Sequence, residues 1–513
     1  MVTNQAYLFC IFIINGIILT SSSLLIRGAG LIFNIYVANK VGQEAIGIFS
    51  LVMSVYSFAI TFATSGVSLA CTCIVSEEFA KNNFSKGITA VKTCIFFALI
   101  LGLSASFLLF LLAPIISSNW LNGNVSNIPI YSISLGLPLI SISAVIGGSL
   151  TSIGKSYKSA FAQCIELAIK IFATYFLLSF SITKGIDAIC TSLIIGDVIS
   201  ELFSFLLNFI FYIIEKRKFK LSRSYNKELN IKIFKIAFPV AFTSYIRSGL
   251  SSLKHFLIPI RLQASGLNYS LAISKYGLIN GMVMPVLMFA SFFVNSFSGL
   301  LIPEYARLQA GKNFNRMKTV CSKIFTVTFS FSFLIASIFF FFSNELSILI
   351  YKNIEVAAYF KIFSLLIIFM YIDNIIDGIL KGVGSQFGVM VINICDLLIT
   401  ICIIYFIVPI LGTNGYVFSI FVSEIFNFTI SFLLLKNKVN FNFDFFNCCI
   451  KPIFIAFLAF FINLIFPVSF NNIFITYIIK IILFSLSYIC LLSFLNYKKL
   501  LDNFNFKILK PRL

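Results

Sequence analysis

Five cations of this 513-residue chain stand inside long apolar runs: Arg27, Lys170, Arg247, Lys254 and Lys480. An ionisable side chain at membrane depth costs at least about 2.5 to 3.5 kcal/mol, which marks each as a functional candidate. Arg247 and Lys254 are seven residues apart, so they share one helical face about 10 Å apart along the axis. Ile26 and Arg27 match Ile246 and Arg247, which gives Arg27 the equivalent place in an internal repeat. The three cations predict a central cavity that grips an anionic head group such as a diphosphate, Arg offering a bidentate fork and Lys a point charge. The competing reading is that each pairs with a buried carboxylate or snorkels to an interface. Lys170 follows Glu166 by four residues, the order of a same-helix ion pair, and Lys480 reads as a snorkelling side chain.

The acids at similar depth are Glu166, Asp197, Glu201, Asp373, Asp377, Asp396 and Glu424. Carboxylates within a helix bundle suit proton or sodium binding, so Glu166, Asp197, Asp396 and Glu424 are candidate ion-coupling residues. Their repeat symmetry also suits simple packing of equivalent helix pairs. Asp373, Asp377 and Lys381 occupy successive turns, the pattern of a chain of ion pairs. His255, the only histidine, reads as packed or hydrogen-bonded rather than as a proton relay, and its solitude excludes a histidine metal cluster. Pro239 and Pro285 fall within predicted spans, where proline loosens a helix; they are hinge candidates, with a static kink as the alternative. No metal or cofactor is expected, and no Walker-type GxxxxGK[ST] loop supports ATP hydrolysis.

The elements that must position these residues follow from composition. The chain is 59% hydrophobic and 11% charged, against roughly 25% charged for a soluble domain. Apolar runs of membrane length number about fourteen at about 20 residues each, leaving little for a soluble domain. The fold expected is all-α, a polytopic membrane protein. Twelve cysteines lie mostly in apolar runs without metal spacing and read as small apolar fillers. The first 25 residues hold no Lys or Arg, so the N-terminus reads as part of the first span rather than a signal peptide.

With both termini in the cytoplasm, the even-numbered loops and the C-terminal tail hold 27 Lys or Arg and the odd-numbered loops six. That asymmetry fixes the expected orientation and accounts for most of the net charge of +20; a nucleic-acid partner is not expected. The basic segment 215–235 reads as a cytoplasmic linker, partly an amphipathic helix on anionic lipid. Gly148, Leu150, Gly154 and Glu166 recur 230 residues later as Gly378, Leu380, Gly384 and Asp396. Gly185, Asp197 and Ser204 recur 227 residues later as Gly412, Glu424 and Ser431. The expected organisation is a six-helix lobe at 1–214, the linker at 215–235, a second six-helix lobe at 236–436, and two extra spans with a basic tail at 437–513. Parallel repeats of this kind place a substrate path between the halves.

The segments FLIPIRLQASG (256–266), KYGLINGMVMPVL (275–287) and SGLLIPEYARLQAGKN (298–313) resemble the stage V sporulation protein B family. So do IRGAGLIFNIYVANKVG (26–42), GIFSLVMSVYSFAITFATSGVSLACTCIVSE (47–77) and DGILKGVGSQ (377–386). That family lies in the exporter superfamily of multidrug extruders, polysaccharide flippases and the lipid II flippase. The resemblance implies two lobes working by alternating access, with spans 1, 2, 7 and 8 lining a cavity. It implies movement of undecaprenyl-diphosphate-linked saccharide to the outer leaflet of the bacterial cytoplasmic membrane, in spore-cortex peptidoglycan synthesis. Arg27 matches a cavity arginine of the family, while Phe33, Asn34 and Ile35 stand where a second one is usual.

The function expected is therefore a lipid-linked saccharide flippase, a monomer energised by H+, Na+ or the membrane potential and working beside cell-wall synthesis proteins. One alternative is a cation-coupled multidrug antiporter, against which the cations of spans 1 and 7 argue. Another is a non-transporting scaffold for cell-wall synthesis. An enzyme is not expected, because the odd-numbered loops are short and poor in acid, base or nucleophile.

Overall fold

A backbone surrounded by lipid must satisfy its own hydrogen bonds, and helices are the form in which these apolar runs do so. The computed structural model describes the backbone of residues 2–120, 123, 125–218, 227–466 and 470–503, with side chains from Ser23 onward except at 119, 227–228 and 496–503. Every regular element in it is helical. Thirteen helical stretches among the described residues are long and apolar enough to cross a membrane, and the first, Ser23–Ala80, holds 58 residues. At 1.5 Å per residue that stretch is about 87 Å long, enough for two crossings, which accords with the fourteen expected. Exposed side chains such as Phe172 (73%), Phe406 (66%) and Ile410 (79%) give the helices an apolar outer face. Water would not tolerate such a surface on this scale, and lipid does.

Packing divides the chain into two compact units, described here one at a time: Met1–Met282 with Leu397–Ser419, and Val283–Asp396 with Ile420–Leu513. The first holds α1 (Val2–Thr64), α2 (Val67–Ala80), α3 (Phe84–Ile115), α4 (Ile128–Ser152), α5 (Ser156–Ser181), α6 (Ile186–Lys216), α7 (Lys227–Ala264) and α8 (Tyr269–Tyr276). Helix α7, which the sequence repeat groups with the second half, thus packs in the first unit. The core between α2, α3 and α4 is built from Ala70, Cys71, Ile74, Ala90, Cys94, Ala98 and Val145, all fully enclosed. Small side chains let helix backbones approach closely where no water drives them together, and the two cysteines serve there as apolar fillers. Of the 215–235 segment, α6 ends at Lys216 and the last residues form the start of α7, while 219–226 lie outside the described residues, as do the last ten residues of the basic tail.

The second unit holds a short α9 (Met284–Phe289), α10 (Ser291–Ala310), α11 (Phe314–Phe341), α12 (Ser343–Tyr351), α13 (Glu355–Gly382), α16 (Lys451–Ile465) and α17 (Ile473–Asn503). It also takes the first part of α14 (Gln386–Leu411) and most of α15 (Thr413–Val439). The extra helices α16 and α17 dock on α11 and α12 through stacked Phe341 and Phe460, with centroids 4.1 Å apart. The Tyr488 hydroxyl donates to the Ser330 carbonyl at 3.0 Å, so this buried phenol is satisfied.

The sequence repeat is visible as repeated hydrogen bonding. In the first unit the Ser68 hydroxyl donates to the Ala144 carbonyl at 3.0 Å; in the second, 230 positions on, Ser298 donates to the Asn374 carbonyl at 2.7 Å. Helices α4 and α13 end alike. Gly154 (φ +73°) and Gly384 (φ +77°) take the left-handed conformation that glycine adopts without strain. The next amides then close back, Lys155 on the Leu150 carbonyl at 2.9 Å and Ser385 on that of Leu380 at 2.8 Å.

Candidate functional site

The three candidate cations are carried by α1 and α7. Gly42 (φ +83°) breaks α1. The Asn34 amide donates to the Gly281 carbonyl at 3.4 Å, and a side chain at Gly281 would collide with Ile46. Residues 34 and 46 therefore flank one glycine, so the two halves of α1 run back alongside each other. Helix α7 packs antiparallel to the second half: the Tyr245 hydroxyl donates to the Phe62 carbonyl at 3.1 Å, and Ser252 to the Ser54 carbonyl at 2.8 Å. These pairings set depth. Arg27 comes level with positions about 250–253 of α7, between Arg247 and Lys254, so all three cations fall in a layer about 10 Å thick at 1.5 Å per residue.

Arg27 and Arg247 are exposed and Lys254 is half-buried. Arg247 makes no hydrogen bond or ion pair with the described residues, whereas Arg27 and Lys254 each have a partner. Asn34, in the stretch where the family resemblance leads one to look for a second arginine, instead ties α1 to Gly281. His255 is held as expected of a hydrogen-bonded histidine, its Nδ1 lying 3.1 Å from the Tyr276 hydroxyl and 3.3 Å from the Asn280 amide. Helix α7 continues through Pro239. Pro285 opens α9, immediately after a π-helical turn at Gly277–Val283.

The acids of the first unit form a network between α5 and α6 that differs from the pairing read from spacing. Lys170 does not pair with Glu166 on its own helix; its Nζ lies 2.6 Å from Asp197 Oδ1 on α6. The reason is enclosure. Asp197 is 5% exposed, and a carboxylate so enclosed demands a counter-charge more strongly than one with access to solvent. Glu166 instead lines a polar cavity of about 360 Å³ together with Ser143, Gln163, Glu201, Ser204 and Asn208. The Tyr56 hydroxyl of α1 donates to Glu201 Oε1, and the Asn208 amide donates to Ser143 Oγ at 2.9 Å. Glu201 Oε2 and Asn208 Oδ1 are left without a hydrogen-bond partner among the described residues. Tyr56 and Asn208 were missed by the sequence reading, although Asp197, Glu201, Ser204 and Asn208 recur at the i, i+4, i+7, i+11 spacing of one helical face.

The second unit carries the related set. The Ser423 hydroxyl donates to Asp396 Oδ1 at 2.7 Å, and the Asn427 amide to Asp373 Oδ2 at 3.2 Å. Lys381 pairs with Asp377 at 3.0 Å. The expected run of ion pairs on α13 thus stops at Asp377, because Asp373 turns to Asn427 on α15. Asp373 Oδ1 has no hydrogen-bond partner among the described residues, and Glu424 is half-buried on α15. Among the described residues no three His, Cys, Asp or Glu side chains are grouped to hold a metal ion.

Thirteen helical stretches among the described residues that are long and apolar enough to cross a membrane, an internal repeat and charges set within apolar helices define a multi-pass membrane protein of the exporter-superfamily fold. A solved structure described as the lipid II flippase MurJ in an inward closed conformation superposes with a TM-score of 0.71 at 15% identity, covering 94% of this chain and 100% of that one. An inward-facing multidrug resistance MATE family transporter of the MOP superfamily gives 0.62 at 14% identity, covering 82% and 94%. The profile of the polysaccharide biosynthesis protein family matches residues 12–309, and the MatE profile matches 270–406. This chain belongs to the polysaccharide biosynthesis protein family. It is similar to stage V sporulation protein B of Bacillus subtilis (strain 168), 20% identical over 411 residues, which is 79% of each chain. The relatives named as a flippase and as a multidrug transporter move molecules across membranes rather than transform them, in keeping with the expectation of a non-enzyme.

Proposed function

We propose that this protein is a flippase for a lipid-linked saccharide, holding the diphosphate of an undecaprenyl carrier with Arg27, Arg247 and Lys254 while alternating access exposes it to each leaflet. The observation that carries the reading is Arg247, an exposed arginine without a partner among the described residues, placed at the depth of Arg27 and Lys254. An unpaired guanidinium at membrane depth is costly, and a ligand bearing two phosphates compensates it with bidentate hydrogen bonds. The similarity to stage V sporulation protein B and to a lipid II flippase supports a cell-wall or polysaccharide precursor in the cytoplasmic membrane. A cation gradient at Glu166 and Asp197, or at Asp396 and Glu424, supplies the energy, with the membrane potential as the other source.

The test is transport of a fluorescent undecaprenyl-diphosphate saccharide in proteoliposomes by wild type, Arg27→Ala, Arg247→Ala and the double variant. Each lost bidentate contact is worth about 1.5 to 3 kcal/mol, so the double variant should transport at least about 100-fold more slowly. Wild-type transport by the folded double variant would remove the assignment. Drug efflux that depended on Asp197 and not on Arg247 would favour the antiporter.

A further inference from the structure

We infer that the first unit carries a built-in site for an anionic phospholipid, its chain lying along α7 and its phosphate at the basic end of that helix. An apolar groove of about 360 Å³ runs between α3, the α1–α2 junction and α7. Its α7 wall is a ladder of Phe234, Phe238 and Phe242, one per turn, with successive ring centroids 5.2 and 6.2 Å apart and planes within about 22° of parallel. These rings are 64%, 56% and 56% exposed. The ladder is thus a pre-ordered surface that the described side chains leave mostly uncovered. At the far end Tyr245 stacks on Phe62, with centroids 5.1 Å apart, and closes the trough.

Length and charge identify the occupant. From Ile233 to Tyr245 the groove follows α7 for about 18 Å, close to one leaflet of a hydrocarbon core about 30 Å thick. It therefore accommodates one chain rooted at one membrane surface. At the open end, Lys81 and Lys232 both reach Glu77, each at 2.6 Å, and Lys86 and Lys235 stand exposed. Among the described side chains, four lysines stand there with two acids, Glu77 and Glu78. That surplus suits a lipid phosphate, because basic side chains near the surface attract anionic lipid. A zwitterionic lipid would gain from the ladder and not from the lysines.

The test places a fluorescent reporter on the ladder. In the full-length protein with its one tryptophan removed (Trp120→Phe), Phe238→Trp reports on the groove, and Phe96→Trp, exposed on α3 beside the groove, reports on bulk lipid at similar depth. Each protein is placed in nanodiscs containing chain-brominated phosphatidylglycerol or chain-brominated phosphatidylcholine, and quenching is titrated. The groove reporter should be half-quenched at a lower mole fraction of phosphatidylglycerol than of phosphatidylcholine, while the Phe96→Trp reporter shows no preference. Lys86→Gln and Lys235→Gln should each reduce the preference by about five-fold, the factor corresponding to about 1 kcal/mol per basic side chain. Equal quenching by both lipids would reduce the groove to annular contact and overturn the proposal. A preference that survives the lysine substitutions would overturn the assignment of the phosphate. Neither reporter requires transport, so failure here leaves the flippase reading intact.

Discussion

The pairing of Lys170 with Asp197 makes a quantitative prediction that separates the structure from the spacing of the sequence. Asp197 is 5% exposed, and its Oδ1 lies 2.6 Å from Lys170 Nζ. Removing the lysine leaves a buried carboxylate without its counter-ion, a change that costs about 3 to 5 kcal/mol in well-enclosed pairs. The Lys170 side chain is 32% exposed, which places the expected cost of Lys170→Met near the lower limit, about 3 kcal/mol. Asp197→Leu in the same protein removes the orphan charge, so Lys170→Met/Asp197→Leu should lie within about 1 kcal/mol of wild type. The assay is unfolding of the purified protein in mixed micelles by titration with dodecyl sulfate, read as a double-mutant cycle. Glu166→Gln is the control that spacing alone would have chosen, and it should cost under about 0.5 kcal/mol. A costly Glu166→Gln with a mild Lys170→Met, or strictly additive single variants, would refute the cross-helix pair.

Two further outcomes follow from packing. A methyl group at Gly148 would meet Thr72 Oγ1 at 2.6 Å, and one at Gly378 would meet the Ser298 carbonyl at 2.9 Å. Gly148→Ala and Gly378→Ala should therefore each destabilise by about 1 to 3 kcal/mol, visible in the same titration, with Gly378→Ala the worse because backbone cannot rotate away. Arg261 stands over the Tyr405 ring with its guanidinium carbon 3.5 Å from the centroid. Arg261→Lys keeps the charge and loses the flat stack, so it should weaken the packing of α7 on this part of α14 by about 1 kcal/mol and raise the rate of cysteine labelling at Cys402.

The spans and the repeat were legible because lipid imposes them. A run of about 20 apolar residues can do little but form a helix, and glycines such as Gly154 and Gly384 mark the same helix end twice. The identities of the buried charges were legible for the same reason, since Arg27, Asp197 or Asp396 stand out against an apolar run. Their partners were not. Lys170 lies one turn from Glu166 in sequence, but which carboxylate it reaches depends on how α5 is rotated against α6. Tyr56 and Asn208 escaped for a different reason: a tyrosine or an asparagine in a span carries no charge to draw attention. The breaks in α1 and in the segment from α8 to α9 arise from glycine conformation and a π-helical turn. Neither leaves the mark that Pro239 does in a helix that nevertheless runs on.

The two copies of the repeat also indicate which polar residues are scaffolding. Where the copies agree, as in Ser68 with Ser298 or in the caps at Gly154 and Gly384, the group satisfies backbone that any such helix pair must satisfy. Where they differ, the fold has formed without that group in one copy. Lys170, the counter-ion of Asp197, becomes Thr400, and Ser143, in the wall of the first polar cavity, becomes Asp373. Glu201, which accepts the Tyr56 hydrogen bond, becomes Phe428. Charge has thus moved from one helix to another while the hydrogen bonds that define the packing stayed in place. The charges that differ, Lys170, Glu201 and Asp373, are therefore not requirements of the helix repeat and have to be explained within their own unit, whereas the carboxylates that recur, Glu166 with Asp396 and Asp197 with Glu424, belong to what the two copies share.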